Sequence, residues 1–245
     1  MAHSTLREPS CTATPAPNGH SLRLAAALLA HDNAPVGQCL DFALASRALR
    51  SPHDAQDPTL VPVGFGTLRQ DDIAVRVSLT GGLTVRAIPL DETVIRTLSP
   101  DSYRALRDIM ASRRPALDSI HRRFRLPRYS VWFVSFFAQE QGETRFSPME
   151  FIITNTGRDF RPLDLVPLTP GFGEYRLRQR EVQSALFIFD GQLDVNQPLS
   201  VIVETTEGGG WSDTLKRIDR ERVLIRARAN RGGRDTAGSG RAPTR

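Results

Sequence analysis

Cysteine is scarce in this chain of 245 residues, which contains only Cys11 and Cys39. A disulfide-stabilised domain needs more cysteines, and a structural zinc site needs Cys and His residues at short, fixed spacings. The five histidines are scattered and form no HExxH motif. We therefore expect no bound metal and no other cofactor.

Catalytic motifs are also missing. No GxSxG nucleophile motif occurs, and the GxG fragments at 64–66 and 171–173 lack the third glycine of a dinucleotide-binding loop. We assign no catalytic residue and favour a protein that is not an enzyme. A hydrolase is an alternative, because paired carboxylates can carry out hydrolysis and acidic residues occur in the predicted β-sheet loops, notably Asp164, Glu174 and Asp190.

Lysine is nearly absent, since 31 of the 32 basic residues are arginine and Lys216 is the exception. The formal net charge is +5, and the segment 104–128 alone contains eight arginines and two aspartates. Guanidinium groups bind phosphates and carboxylates in a forked geometry, so this segment is a candidate anion-binding surface for nucleic acid or lipopolysaccharide. Its candidate residues are Arg107, Arg114, Arg122 and Arg125. The aromatic residues of the segment fall on its apolar stripe, which favours an ordinary solvated helix face over nucleic-acid binding.

Long apolar runs are absent, and no segment reaches the roughly 18 apolar residues that a membrane-spanning helix requires. Met1–Ser10 is too polar for the apolar core of a signal peptide. Cys11 is followed by a Thr/Pro/Ala-rich stretch that resembles the tether of a lipoprotein, although no lipobox precedes it. The location stays open: periplasmic or secreted if a signal peptide precedes this start, and cytoplasmic otherwise. Cys11 lipidation and a Cys11–Cys39 disulfide remain alternatives in the first case.

Composition and periodicity divide the chain into four segments. Residues 1–20 are predicted to be a disordered tether, and residues 21–50 a helical arm with two Ala/Leu-rich helices. Residues 60–229 are predicted to form a β-sandwich domain, with a kinked helix inserted at 100–125. Residues 230–245 are predicted to be a disordered basic tail.

Strand patterns dominate the predicted domain. Ile73–Pro89 alternates apolar and polar residues on both sides of Gly81-Gly82, which predicts a hairpin with a tight two-residue turn. Five apolar runs separated by turn residues predict further strands: Tyr129–Gln139, Met149–Thr154, Leu163–Val166, Ala185–Asp190 and Leu199–Thr205. After Gly208–Gly210 we expect a short helix through Asp219 and a last strand from Val223 to Ala229.

The layout over about residues 70–229 resembles an immunoglobulin-like or related antiparallel β-sandwich. Trp132 is placed as a core tryptophan would be, but no cysteines flank it. The fold class is therefore mainly β with helical additions. A fold class alone does not give a function. The sandwich, the Thr/Pro/Ala-rich stretch after Cys11 and the lack of catalytic motifs together lead us to expect a non-enzymatic binding or structural module of the bacterial cell envelope, whose partner is a protein or an envelope polymer.

Overall fold

The computed structural model describes residues 59–238, with side chains through Arg231. The predicted tether at 1–20, the predicted helical arm at 21–50 and residues 239–245 of the predicted tail lie outside the described residues. Within them the protein is mainly β, with three antiparallel sheets and a C-terminal helix. The strands are β1 (Val75–Ser78), β2 (Leu83–Pro89), β3 (Tyr129–Ala138), β4 (Glu143–Arg145), β5 (Phe151–Asn155), β6 (Arg158–Phe160), β7 (Asp164–Pro167), β8 (Arg176–Arg178), β9 (Val182–Asp190), β10 (Leu199–Val203) and β11 (Thr206–Gly208). The helices are α1 (Glu92–Ile95), α2 (Pro100–Ser112), α3 (Arg114–Phe124) and α4 (Trp211–Gly238).

Two larger sheets account for most of the strands. The five-stranded sheet has the order β1-β2-β3-β9-β7, and the four-stranded sheet has the order β11-β10-β5-β6. Strands β4 and β8 form a separate two-stranded ribbon. All five predicted apolar runs are strands, as β3, β5, β7, β9 and β10. The four short strands β4, β6, β8 and β11 were not predicted.

The predicted hairpin is confirmed as β1 and β2. Val75 pairs with Ala87 and Val77 with Val85, so the apolar residues of both strands lie on one face. Gly81 and Gly82 have φ angles of +79° and +68°, which a glycine adopts without strain. The turn is one residue longer than predicted, because the N–H of Leu79 donates to the carbonyl of Leu83 at 2.8 Å and leaves residues 80–82 between them.

A shared apolar core connects the two larger sheets. Trp132 in β3 and Phe187 in β9 are paired neighbours on the same face of the five-stranded sheet, and both are fully buried. The ring of Phe151, from the four-stranded sheet, lies 5.2 Å from the ring of Phe187. The ring of Trp211, at the start of α4, lies 6.1 Å from the ring of Trp132. Side chains of both sheets and of α4 therefore pack together on this face.

Helices α2 and α3 lie on the opposite face of the five-stranded sheet. Side chains alternate between the two faces along β3, which places Tyr129 on the face opposite Trp132. The centroid of the Tyr129 ring lies 5.4 Å from that of His121 in α3. Arg123 in α3 pairs with Asp164 in β7. The predicted kinked helix is in fact two helices that meet at Arg113, with Pro115 in the first turn of the second one, where its missing N–H leaves no helical hydrogen bond unmade.

The prediction for the C-terminal segment is wrong in part. The expected helix is present, but it does not end at Asp219: α4 continues as helix through the predicted strand Val223–Ala229. Its buried residues recur at helical rather than strand spacing: Trp211, Ile218, Glu221, Arg222 and Ile225. The helix continues through Gly238, into part of the segment that was predicted to be a disordered tail.

Candidate functional site

The β4–β8 ribbon presents charged side chains on one of its faces. Its register pairs Glu143 with Arg178 and Arg145 with Arg176. In β8, Leu177 lies between Arg176 and Arg178 and is fully buried. Because side chains alternate along a strand, the buried Leu177 forces both arginines onto the outer face. The ribbon is therefore held to the core by its apolar side and exposes a mixed-charge surface.

A polar cleft of about 530 Å³ lies beside this ribbon. Its volume is within the range, about 300–1,000 Å³, of small-molecule sites in proteins. The lining comes from β4, from the short 3₁₀ helix Pro170–Glu174, from β8, from the turn between β8 and β9, and from the start of β9. The lining residues are Glu143, Gly171, Glu174, Arg176, Arg178, Glu181 and Gln183.

Gln183 is the most deeply buried polar residue of the cleft, with only 3% of its surface exposed. Its amide Nε2 donates to the carbonyl of Arg176 at 2.9 Å and to Oε1 of Glu181 at 3.0 Å. Both partners are acceptors, so the amide nitrogen must face them and the amide oxygen must point away from them. That oxygen, Oε1, is buried and has no hydrogen-bond donor among the described residues. The cleft thus contains an unused acceptor.

Glu181 provides a second, fixed acceptor. Its Oε2 accepts the backbone N–H of Arg178 at 2.8 Å, across the turn between β8 and β9. This hydrogen bond, together with the one from Gln183, lowers the pKa of the Glu181 carboxyl below its ordinary value of 4.5. The carboxylate is therefore ionised at neutral pH and held in one orientation.

The arginines of the cleft are only loosely paired. Arg176 lies 3.6 Å from Glu143, and about half of each side chain is exposed. The Arg178 guanidinium forms no salt bridge within the described part of the chain. Three carboxylates and two guanidinium groups consequently line one cleft, with donors and acceptors both available to a ligand.

The structure separates the predicted anion-binding arginines into two pairs. Arg107 and Arg114 line a small pocket of about 180 Å³ together with Tyr129, at the junction of α2, α3 and β3. Arg107 is already bound to Glu92 at 2.8 Å. Arg122 and Arg125 are exposed and do not line that pocket, and neither forms a salt bridge among residues 59–231.

The structure does not bring the three predicted hydrolase carboxylates into one cavity. Glu174 lines the polar cleft, whereas Asp164 lines a different cavity with Phe172 and Tyr175. Asp190 lines neither of these cavities, and its Oδ1 accepts the backbone N–H of Gln192, as turn aspartates commonly do. Among the described residues no group of three or more His, Cys, Asp or Glu side chains is placed to hold a metal ion. No helix of residues 59–238 has the length and apolar character needed to cross a bilayer.

Most residues of the polar cleft escaped the sequence analysis because they are distant along the chain and carry no motif. Two local signals were present. Arg176-Leu177-Arg178 alternates charged and apolar residues as an exposed strand does, and Gln183 lies at the polar start of a largely apolar strand. Comparison of the chain with family models, with curated proteins and with solved structures finds no match.

Proposed function

We propose that this protein is a non-enzymatic binding module whose two larger sheets form an immunoglobulin-like or related antiparallel sandwich, and which binds its ligand in the polar cleft. The packing of Phe151 against Phe187 supports the sandwich, since it joins the two sheets face to face. Glu174 and Asp164 line different cavities, so they do not form the pair of carboxylates that a glycosidase needs on either side of one bond.

The unused acceptor of Gln183 is the observation that carries the proposal. Buried polar atoms nearly always have a hydrogen-bond partner, and leaving one without a partner costs about 1–3 kcal/mol. A ligand donor that reaches Oε1 recovers this free energy on binding. Because the atom is buried in the free protein, its surroundings must shift before a ligand donor can reach it.

The test compares Gln183→Leu with Gln197→Leu, a matched substitution at an exposed position outside the cleft. In the wild-type protein, a ligand from a mixed library of small polar compounds and oligomers should shift the NMR signals of the Gln183 side-chain amide and of residues 176–183. Gln183→Leu should weaken binding at least about tenfold, the equivalent of about 1.4 kcal/mol. Gln197→Leu should leave the affinity unchanged. Ligands that shift only signals remote from the cleft would refute the proposal.

We propose that this binding module acts in the cell envelope, and the Thr/Pro/Ala-rich stretch after Cys11 supports this location. The partner would then be an envelope polymer or a protein at the cell surface. Fractionation of cells that express the tagged native gene, with its upstream codons, tests the location. A tagged protein confined to the cytoplasm would contradict it without bearing on the cleft.

Anion binding by the α2–α3 surface is a second candidate, favoured by the shared position of Arg107 and Arg114 beside one pocket. Binding of this kind should weaken steeply with salt, because each neutralised phosphate releases counterions. Arg114→Glu, Arg122→Glu and Arg125→Glu together should abolish retention on heparin and binding to single-stranded nucleic acid. Unchanged retention of the triple variant would exclude the surface as the binding site.

A further inference from the structure

We infer that the polar cleft takes an uncharged polyhydroxyl ligand, a short stretch of a neutral carbohydrate, rather than an ion. This inference rests on the proposed function, because it names the class of ligand for the same cleft. It follows from the arrangement of charge and of hydrogen-bonding groups in the lining.

Charge argues against either kind of ionic ligand. A polyanion that approached Arg176 and Arg178 would also meet the carboxylates of Glu143, Glu174 and Glu181. A cation that approached Glu181 would meet the two guanidinium groups. Each like-charge contact opposes binding, so the cleft rejects ligands of strong net charge of either sign.

Hydrogen bonding argues for hydroxyl groups. A hydroxyl donates one hydrogen bond and accepts others, so neighbouring hydroxyls of a sugar can use donors and acceptors that lie side by side. The fixed acceptors are Oε1 of Gln183 and the carboxylate of Glu181. The donors are the guanidinium groups of Arg176 and Arg178, which are exposed and at most weakly paired. A polyol thus satisfies both sets at once, and the hydrogen bonds to charged groups are the stronger ones.

The experiment is a titration, followed by NMR and calorimetry, with three kinds of probe. The first is a panel of uncharged oligosaccharides of hexoses, pentoses and N-acetylhexosamines, the second is a triarginine peptide, and the third is inorganic triphosphate. We expect an uncharged oligosaccharide to shift the signals of Gln183, Glu181 and Arg178. Its Kd should change less than about twofold over a tenfold rise in salt, because no net charge is neutralised.

Two variants keep the test decisive if one of them folds poorly. Gln183→Leu removes the buried acceptor, and Arg178→Gln removes an exposed guanidinium that forms no salt bridge among the described residues. Each should weaken oligosaccharide binding at least about tenfold, whereas Gln197→Leu should not weaken it.

The possible failures are distinguishable. Binding of triarginine or triphosphate in the cleft, with an affinity that falls steeply with salt and with no oligosaccharide bound, would overturn the carbohydrate inference and leave the proposed binding site intact. A panel in which no probe shifts any signal of residues 143 or 171–183 would overturn both.

Discussion

Gly208 lies where β11 passes beside β1, and the space around it admits no side chain. A Cβ atom at this position would lie 2.5 Å from Cγ2 of Val77 and 3.0 Å from the carbonyl oxygen of Arg76. Val77 is itself buried, so it has little freedom to move away. The glycine is therefore required by close approach of two strands rather than by an unusual backbone angle.

Gly208→Ala should lower the free energy of unfolding by about 1–3 kcal/mol, the usual cost of forcing extra atoms into a packed core. The neighbouring Gly209→Ala is the matched control, because a Cβ atom there meets nothing within 4 Å. Urea denaturation of both variants measures the difference. Equal stability of the two variants would show that β11 and β1 do not approach as closely as described.

Glu181 should make the free energy of unfolding depend on pH, and the sign of this dependence follows from the lowered pKa of its carboxyl. The carboxylate stabilises the folded protein above the unfolded-state pKa of 4.5, and this contribution is lost as the pH falls through the lower folded-state pKa. The difference in unfolding free energy between wild type and Glu181→Gln should therefore be largest near about pH 7 and shrink towards about pH 2. Urea denaturation across that range measures it.

Glu207→Gln controls for the change in net charge, since Glu207 is exposed and lies outside the cleft. A pH-dependent difference of the same size in both variants would contradict a specific role for the hydrogen bonds to Glu181.

At the level of elements, polar residues attach α4 to α1 and to two loops, one before β1 and one before β10. Oε1 of Glu221 accepts the N–H and the hydroxyl of Thr67, both at 2.9 Å, and Nη1 of Arg228 at 2.7 Å. Nη2 of Arg222 donates to the carbonyl of Thr93 at 2.9 Å and to Oδ1 of Asn196 at 2.6 Å. Both Glu221 and Arg222 are only 4% exposed. The helix is thus held by buried hydrogen bonds in addition to Trp211 and Ile218.

Glu221→Gln should cost about 1–3 kcal/mol of unfolding free energy, because it weakens charge-assisted hydrogen bonds and leaves Arg228 without its carboxylate. Amide hydrogen exchange should accelerate in α4 more than in β3, since the substitution loosens the helix first. Glu207→Gln, at an exposed site, is expected to change stability by less than about 0.5 kcal/mol. Faster exchange in β3 alone would argue against attachment through Glu221.

These contacts explain why α4 was predicted wrongly. Its buried face includes Glu221 and Arg222, so apolar residues do not mark the helical period, and the remaining apolar residues from Val223 onward alternate by chance as in a strand. Hydrophobic periodicity fails wherever buried positions are filled by paired polar residues. The five apolar strands were predictable for the opposite reason, because their burial depends on Phe, Val, Ile and Leu.

The polar cleft was beyond prediction for a different reason. Its residues come from positions 143 to 183, and only the pairing of β4 with β8 brings Glu143 beside Arg178. A three-residue strand such as Arg176–Arg178 is too short to show a period. Glu174 was singled out as an acidic loop residue, but its place beside two arginines depends on tertiary structure.

For the whole molecule, stability depends on how the two larger sheets pack. Phe151 is fully buried and contacts the rings of both Phe187 and Phe189 in the opposite sheet. Phe151→Ala should therefore lower the free energy of unfolding by about 3–5 kcal/mol, the typical loss for a large buried aromatic residue. Phe124→Ala is the control, because 39% of that side chain is exposed, and we expect a loss below about 1 kcal/mol. Similar losses in a denaturant titration would contradict the proposed sandwich.

The attachment of α4 has a consequence for how the chain is made. Arg228 donates to the carbonyl of Phe65, a partner 163 positions earlier, and Glu221 binds Thr67 across 154 positions. Trp211, at the start of α4, also contacts Trp132 of β3, so during translation this part of the apolar core stays uncovered until α4 has emerged from the ribosome. Nascent chains with exposed apolar surface are aggregation-prone and are the usual clients of chaperones. A ribosome stalled just before Trp211 would therefore hold a nascent chain whose apolar core is still partly exposed.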